Sequence, residues 1–237
     1  MRLDQLLVAR RHAQSRSKAQ DLIKRGLVRV NGRLALKTGL EVASGCALEV
    51  LENKHYVGRG ALKLLAALEA FGFSPAGRNC LDIGASTGGF TEVLLEGGAA
   101  CVVAVDVGRN QLHPSLRSDP RVISMEETDA RLLKPKDVSA QAVTCDVSFI
   151  SLLKILPSVL GLAEKGAWLV ALVKPQFEVG RAFVGKGGIV KDKAAVADAV
   201  ERVRDCIQLS GWSIAGTLES PIAGQNGNEE ILIGATL

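Results

Sequence analysis

One stretch, residues 79–106, limits this chain to a single kind of architecture. Residues 79–83 form a short apolar run of strand length, and residues 84–89 form a turn containing three glycines. A helical pattern begins at Phe90, and residues 101–105 make a second apolar strand that runs into Asp106. Strand, glycine turn, helix and strand in that order make a βαβ unit, which builds a mostly parallel sheet covered by helices on both faces. Further apolar segments at residues 142–145, 167–173, 213–218 and 230–233 alternate with helical stretches. The expected fold is therefore α/β, a doubly wound sheet of Rossmann type.

The glycine turn admits three chemical readings. A dinucleotide site needs G-x-G-x-x-G so that the backbone can approach a pyrophosphate, and here Ser86 stands at the middle glycine position. Gly84-Ala85-Ser86-Thr87-Gly88 satisfies the G-x-S-x-G elbow of a serine hydrolase, whose triad runs in the order Ser, Asp, His. The chain has only His12, His55 and His113, and the sole histidine beyond Ser86 lies on the next crossover, too early for that order. The third reading is an S-adenosylmethionine loop. Gly84, Gly88 and Gly89 would let N–H groups at the start of a helix approach the methionine carboxylate. Asp82 would face the cofactor ammonium, Ser86, Thr87 and Phe90 would complete the loop, and Asp106, about twenty residues on, would bind ribose hydroxyls.

The charge is uneven. Residues 1–54 hold 11 Lys/Arg against 5 Asp/Glu, whereas residues 55–237 hold 18 against 20. The boundary is expected there, with a small basic module preceding the sheet domain, and a basic module is the electrostatic footprint of a polyanion partner. In it, Leu3, Leu6 and Leu7 follow helical spacing. A second helix is predicted to start at Ser15 as N-cap, bury Ala19, Leu22 and Ile23, and stop at Gly26. Val28 and Val30 alternate around Arg29 before Asn31-Gly32, a hairpin turn, and residues 47–51 supply a closing strand. Arg10, Arg11, Arg16, Lys24, Arg25 and Arg29 are the candidate RNA contacts. The module resembles the RNA-binding domain shared by ribosomal protein S-four, several pseudouridine synthases and tyrosyl-tRNA synthetases, through Arg2-Leu3-Asp4, Ser15-Arg16 and the run Gly26-Leu27-Val28-Arg29-Val30-Asn31-Gly32. That resemblance implies recognition of structured RNA by shape and backbone.

The five cysteines show no C-x-x-C spacing, so neither a zinc site nor a disulfide framework is expected, and reduced thiols point to the cytoplasm. No apolar run approaches the roughly 20 residues needed to span a bilayer, so no membrane partner is expected.

The residues after the later strands constrain the methyl acceptor. Base-nitrogen methyltransferases carry an acid or amide followed by Pro-Pro and an aromatic after the fourth strand, whereas this chain reads Asp146-Val147-Ser148-Phe149. Cys145 lies among apolar residues and reads as a buried strand cysteine rather than a nucleophile. Lys63, Asp146, Lys174 and Glu230 adjoin strand ends or the helix leading into the sheet. Pro175 would hold Lys174 at the sheet's C-terminal edge, with Asp146 ending the neighbouring strand. Residue types and positions leave two roles open for Lys174: a base for a hydroxyl proton, or a fixed cation for a developing alkoxide. A purely structural Lys174–Asp146 ion pair is the bland alternative.

These motifs resemble the FtsJ-like ribose methyltransferases and, over nearly the whole chain, the TlyA (hemolysin A) family of rRNA cytidine 2′-O-methyltransferases. The residues carrying the resemblance are Arg59-Gly60-Ala61-Leu62-Lys63, the loop from Asp82 to Phe90, Ala104-Val105-Asp106-Val107-Gly108, Asp146-Val147-Ser148-Phe149-Ile150-Ser151-Leu152, Val173-Lys174-Pro175-Gln176-Phe177-Glu178, Gly185-Lys186-Gly187-Gly188 and Gly227-Asn228-Glu229-Glu230. The resemblance implies an S-adenosylmethionine-dependent enzyme acting on 16S or 23S rRNA, or both, with Lys63, Asp146, Lys174 and Glu230 as its catalytic tetrad. Glu230 is chosen over Glu229 by the motif, and strand alternation puts the two on opposite faces. Two departures bear on the cofactor: Arg109-Asn110 stands where the family usually has Tyr-Gly, and Asp129 where an asparagine near the adenine is common. Lys186, in a glycine-flanked basic loop, is a further expected RNA contact. A small-molecule O-methyltransferase, or a non-catalytic RNA-binding protein, are the competing readings.

Overall fold

Leu3, Leu7, Ala19, Ile23, Val28 and Ala35 form the buried centre of the N-terminal unit in the computed structural model, which describes residues 1–50, 56–135, 138–224 and 227–237. Two helices, α1 (Leu3–Ala9) and α2 (Arg16–Lys24), pack on a three-stranded antiparallel sheet of β1 (Val28–Val30), β2 (Arg33–Leu34) and β3 (Leu48–Val50), ordered β2-β1-β3. Ser15 is the N-cap expected, its hydroxyl accepting the Lys18 N–H, and Gly26 at φ +69° ends α2. Asn31 and Gly32 both have positive φ and pair Val30 with Arg33 in a two-residue hairpin. Leu22 is half-buried rather than buried, and the closing strand is shorter than residues 47–51. Leu51 and the expected 54/55 boundary lie outside the described residues.

Asp4 ties this unit together from α1. Its buried carboxylate accepts from Arg2 at 3.2 and 3.3 Å, Arg16 Nε at 2.8 Å and Gln20 Nε2 at 2.8 Å. The Arg2 guanidinium above all, then Gln20 and Arg16, outweigh burial and hold its carboxyl well below the usual carboxylate range.

The larger unit begins with α3 (Ala61–Phe71), which meets the first unit where the Leu34 N–H donates to Glu69. Its seven-stranded sheet runs β6 (Val122–Met125), β5 (Cys101–Val105), β4 (Asn79–Ile83), β7 (Ala140–Cys145), β8 (Ala163–Val173), β10 (Ile231–Thr236), β9 (Ser213–Glu219). Strands β4 to β8 pair in parallel, and both faces are covered. Alternate residues feed two cores. Leu81, Ile83, Val143, Leu169 and Ala171 pack with α6 (Leu156–Leu160) and α8 (Lys193–Leu209), while Cys80, Val102, Ala142, Trp168 and Val170 pack with α3 and α4 (Gly89–Glu96).

The sequence does not announce two features. The edge strand β6 is short and half-exposed, so it carries neither a long apolar run nor clean alternation. The parallel strands keep the expected doubly wound order, and beyond them β10 lies between β8 and β9 and runs antiparallel to both, with Ile231 opposite Val173. That reversal brings the residue that leads into β10 to the edge where the parallel strands end.

Asp4→Asn should loosen the first unit, read as faster hydrogen exchange of the α1 and α2 amides in the full chain. Because the folded-state pKa of Asp4 is depressed, its contribution is present above the unfolded carboxylate pKa near 3.9 and is lost as the pH falls below it. Wild type should thus converge on the variant in acid, and equal exchange at neutral pH would remove Asp4 from this role.

Candidate active site

The turn after β4 is shaped by close approach. Gly84 has φ +79°, and a Cβ there would sit 2.7 Å from the carbonyl oxygen of Asp146. Gly88 has φ +98°, and a Cβ would overlap Leu112 and Leu116. Side chains are excluded at both positions, so the turn lies flat against the strand ends and leads into α4 at Gly89. Ser86 adopts φ +49° at an exposed position, and its N–H donates to Asp106 at 2.8 Å. The Gly108 N–H donates to the other oxygen of Asp106 at 2.7 Å, so this carboxylate joins the turn to the segment after β5. Thr87 is exposed on the turn, whereas Phe90 is buried and packs beneath it beside Gly60.

Asp82 stands elsewhere than expected. It is 0% exposed and points toward α4, where it accepts from Thr91 Oγ1 at 2.7 Å and Thr144 Oγ1 at 2.8 Å. It props the turn from below and does not face a ligand ammonium, because strand alternation directs it into the α3/α4 core. Desolvation dominates over the two hydroxyl hydrogen bonds and raises its pKa to about 6.

Asp129 lies near Asp106, since the Thr128 N–H donates to the Asp106 carbonyl at 3.0 Å. Both its carboxylate oxygens are engaged by Arg131, at 2.6 to 3.1 Å, and this hydrogen-bonded arginine lowers its pKa to about 2. As an adenine contact it would have to share itself with that arginine. Sequence reasoning also missed Glu126, which accepts the Asn110, Gln111 and Leu112 N–H groups at 2.7 to 2.9 Å and orders the segment where Arg109-Asn110 departs from the family pattern.

The four polar residues at the sheet edge converge. Lys63 Nζ, in the first turn of α3, lies 2.5 Å from Glu230 Oε2, which immediately precedes β10. Lys174 Nζ, after β8, lies 2.7 Å from Asp146 Oδ1, after β7, and donates to Ser148 Oγ at 2.7 Å. The Lys174–Asp146 approach is an ion pair outside hydrogen-bond geometry, so Asp146 Oδ1 keeps its accepting capacity. Glu230 is buried and Glu229 exposed, as alternation requires. Gly224 packs so tightly on the Glu230 carboxylate that a Cβ would overlap it. All four residues line one cavity of about 570 Å³, together with Ser86, Arg59, Ser148, Phe149 and Gln176. Phe149 is 89% exposed at φ +65°, with its ring 5.3 Å from that of Phe177. Bulky residues rarely adopt this backbone conformation, and strained residues of this kind cluster at functional sites.

The basic residues divide. Arg10 is half-buried and donates to the carbonyls of Cys46, at 2.6 Å, and Ser44, so it fastens the loop before β3. Arg16 is held by Asp4, Arg25 pairs with Asp21 at 3.3 Å, and Arg29 donates to the Gly32 carbonyl at 2.7 Å. Arg11, Lys24 and Lys186 are exposed. The Lys186 loop is tied to the segment before β10: Asn228, 2% exposed, donates to the Gly188 carbonyl at 2.8 Å and accepts the Val190 N–H at 3.0 Å.

Comparison with known families matches residues 56–237 to the FtsJ-like methyltransferases and residues 1–45 to the S4 domain. The chain is 49% identical to the 16S/23S rRNA (cytidine-2'-O)-methyltransferase TlyA of Mycobacterium tuberculosis, over 98% of this chain and 88% of that protein. It is 40% identical to the 23S rRNA (cytidine-2'-O)-methyltransferase TlyA of Campylobacter jejuni, over 97% of each. A solved hemolysin-type structure from Streptococcus thermophilus superposes with a TM-score of 0.74 at 41% identity, over 100% of this chain and 88% of that one.

Asp82→Asn should gain in melting temperature relative to wild type as the pH rises from 4 to 8. The raised folded-state pKa means that the acid favours folding below the unfolded value near 3.9, and that this share is lost as the pH climbs through about 6. The difference should be on the order of 3 kcal/mol for a shift of about two units. A pH-independent difference would show that Asp82 is charged in its pocket.

Proposed function

This chain belongs to the FtsJ-like methyltransferase family and to its TlyA group, and from that premise we propose that it methylates cytidine 2′-hydroxyls of 16S or 23S rRNA, or both, with S-adenosylmethionine as donor. The observation that carries the reading is the convergence of Lys63, Asp146, Lys174 and Glu230 on one cavity that Ser86 of the glycine turn also lines. The turn suits the cofactor: Cβ atoms are excluded at Gly84 and Gly88, and Asp106, whose oxygens each accept one N–H and can accept another, is the residue we assign to the ribose hydroxyls. When bound there, S-adenosylmethionine supplies an electrophilic methyl group.

The protein's share is position and charge. Transfer to an alcohol is an in-line displacement, so the attacking oxygen must be held in one place. Ser148 takes one N–H of Lys174 and Asp146 makes a charge contact alone, so two N–H groups remain, one of which we assign to the ribose oxygen. We assign Lys174, paired with Asp146, as the cation that stabilises the developing alkoxide. Asp146, which lines the cavity beside Lys174, is the carboxylate we assign to accept the hydroxyl proton. Lys63 and Glu230 line the same cavity as a second ion pair. Phe149, exposed beside Phe177 at the cavity mouth, offers a face on which a base turned out of its helix can stack. Arg11 and Lys24 on the first unit and Lys186 by the cavity supply phosphate contacts, with rRNA or a ribosomal subunit in the cytoplasm as partner.

Lys174→Ala should keep cofactor and RNA affinity but slow single-turnover methylation by about 10²-fold or more, the scale of a fixed charge stabiliser. Neutralising Arg11 and Lys24 should do the reverse: weaker RNA binding, with a salt dependence flatter by nearly one unit per lost duplex phosphate contact. Mass mapping of methylated rRNA is the decisive readout. A methyl group on a base, or none on rRNA, would overturn the reading.

A further inference from the structure

Glu178 closes the short helix α7 (Pro175–Glu178), four residues beyond Lys174, and is 8% exposed. A buried carboxylate is costly unless something answers its charge. Among the described residues no cation meets it: Arg202 reaches only its backbone carbonyl, at 2.8 Å. Its two oxygens instead accept from the segment after β7, Oε2 from Ser151 Oγ at 2.6 Å and Oε1 from the Leu152 N–H at 2.7 Å. Ser151 in turn accepts the Leu153 N–H at 3.2 Å and starts the turn Leu152–Lys154.

The two segments so joined each carry one half of the reaction centre. Residues 146–149 hold Asp146, Ser148 and Phe149, and residues 174–177 hold Lys174 and Phe177. Neither segment is strand at this point, so the sheet's hydrogen bonds no longer set their separation. The Lys174 contacts to Asp146 and Ser148 cross the same gap, but those groups have to remain available to substrate. Glu178 crosses it outside the cavity. The geometry points to Glu178 as a positioning residue, a strut that sets the spacing of the Lys174 and Asp146 segments through Ser151 and Leu152. This deepens the methyltransferase reading and rests on it for its kinetic consequence alone.

Glu178→Ala should free the Leu152 amide to exchange in the full chain without RNA or cofactor. It should also slow single-turnover methylation of rRNA by roughly 10- to 100-fold, since a misplacement of about 1 Å can cost 10²-fold, with cofactor and RNA dissociation constants within about twofold of wild type. Glu178→Gln should restore most of both, because its amide oxygen can accept the Leu152 N–H while the Ser151 hydroxyl turns to accept from its NH₂. Ser151→Ala should be milder than Glu178→Ala and add little to it, as expected of one shared contact; it also keeps the test alive if Glu178→Ala does not fold. Unchanged Leu152 exchange, an unchanged rate in Glu178→Ala, or a rate loss matched by equal losses of cofactor and RNA affinity would each overturn the strut. If wild-type protein leaves rRNA unmethylated, the function reading falls, while Leu152 exchange still judges the strut by itself.

Discussion

A lysine buried at the edge of a sheet has to be given a counter-charge, and each of the two lysines here has its own. Lys63 rests on Glu230 and Lys174 on Asp146, with all but Asp146 under a tenth exposed. Removing one member of such a pair leaves an uncompensated charge, a penalty of about 3–5 kcal/mol where burial is complete. Four segments far apart in the chain are thereby held to one small volume. An apolar set of the same size would pack more cheaply, so the pairs make most sense as a device for holding charge ready inside a cavity.

The antiparallel strand β10 makes the Lys63–Glu230 pair possible. Parallel strands deliver their C-terminal ends to the edge where ligands bind in open α/β sheets. A strand that runs backward delivers its leading residue there instead, and so Glu230 meets Lys63 across 167 residues of chain. Gly224 and Asn228 complete the arrangement. One leaves room for the Glu230 carboxylate, and the other fastens the Lys186 loop beside it.

Burial and pairing reassign several polar residues whose type alone suggests ligand contact. Asp82 carries the right chemistry for an ammonium, yet its strand position turns it into the core, where two threonine hydroxyls take up its oxygens. Arg10 and Arg29 belong to a basic module but spend hydrogen-bond donors on backbone carbonyls that the turns leave open. Of the basic residues proposed to meet RNA in this module, Arg11, Arg16 and Lys24 are exposed, whereas Arg10, Arg25 and Arg29 are half-buried.

Much of this protein is legible without coordinates. Apolar runs, the glycine turn and the Asn31-Gly32 hairpin depend on neighbours within a few residues, because backbone sterics and strand or helix period are local properties. For that reason the element types, the basic module and the flat turn beside Asp106 are determined by the sequence itself. Residue types at strand ends and on the helix leading into the sheet likewise single out Lys63, Asp146, Lys174 and Glu230. Only the tertiary structure decided the direction of β10, the pairing of Lys63 with Glu230, the inward turn of Asp82 and the reach of Glu178 to Ser151 and Leu152. Each of these depends on which segments lie side by side after packing. A carboxylate's role is set by the donors that surround it, and those donors come from parts of the chain that sequence spacing cannot bring together.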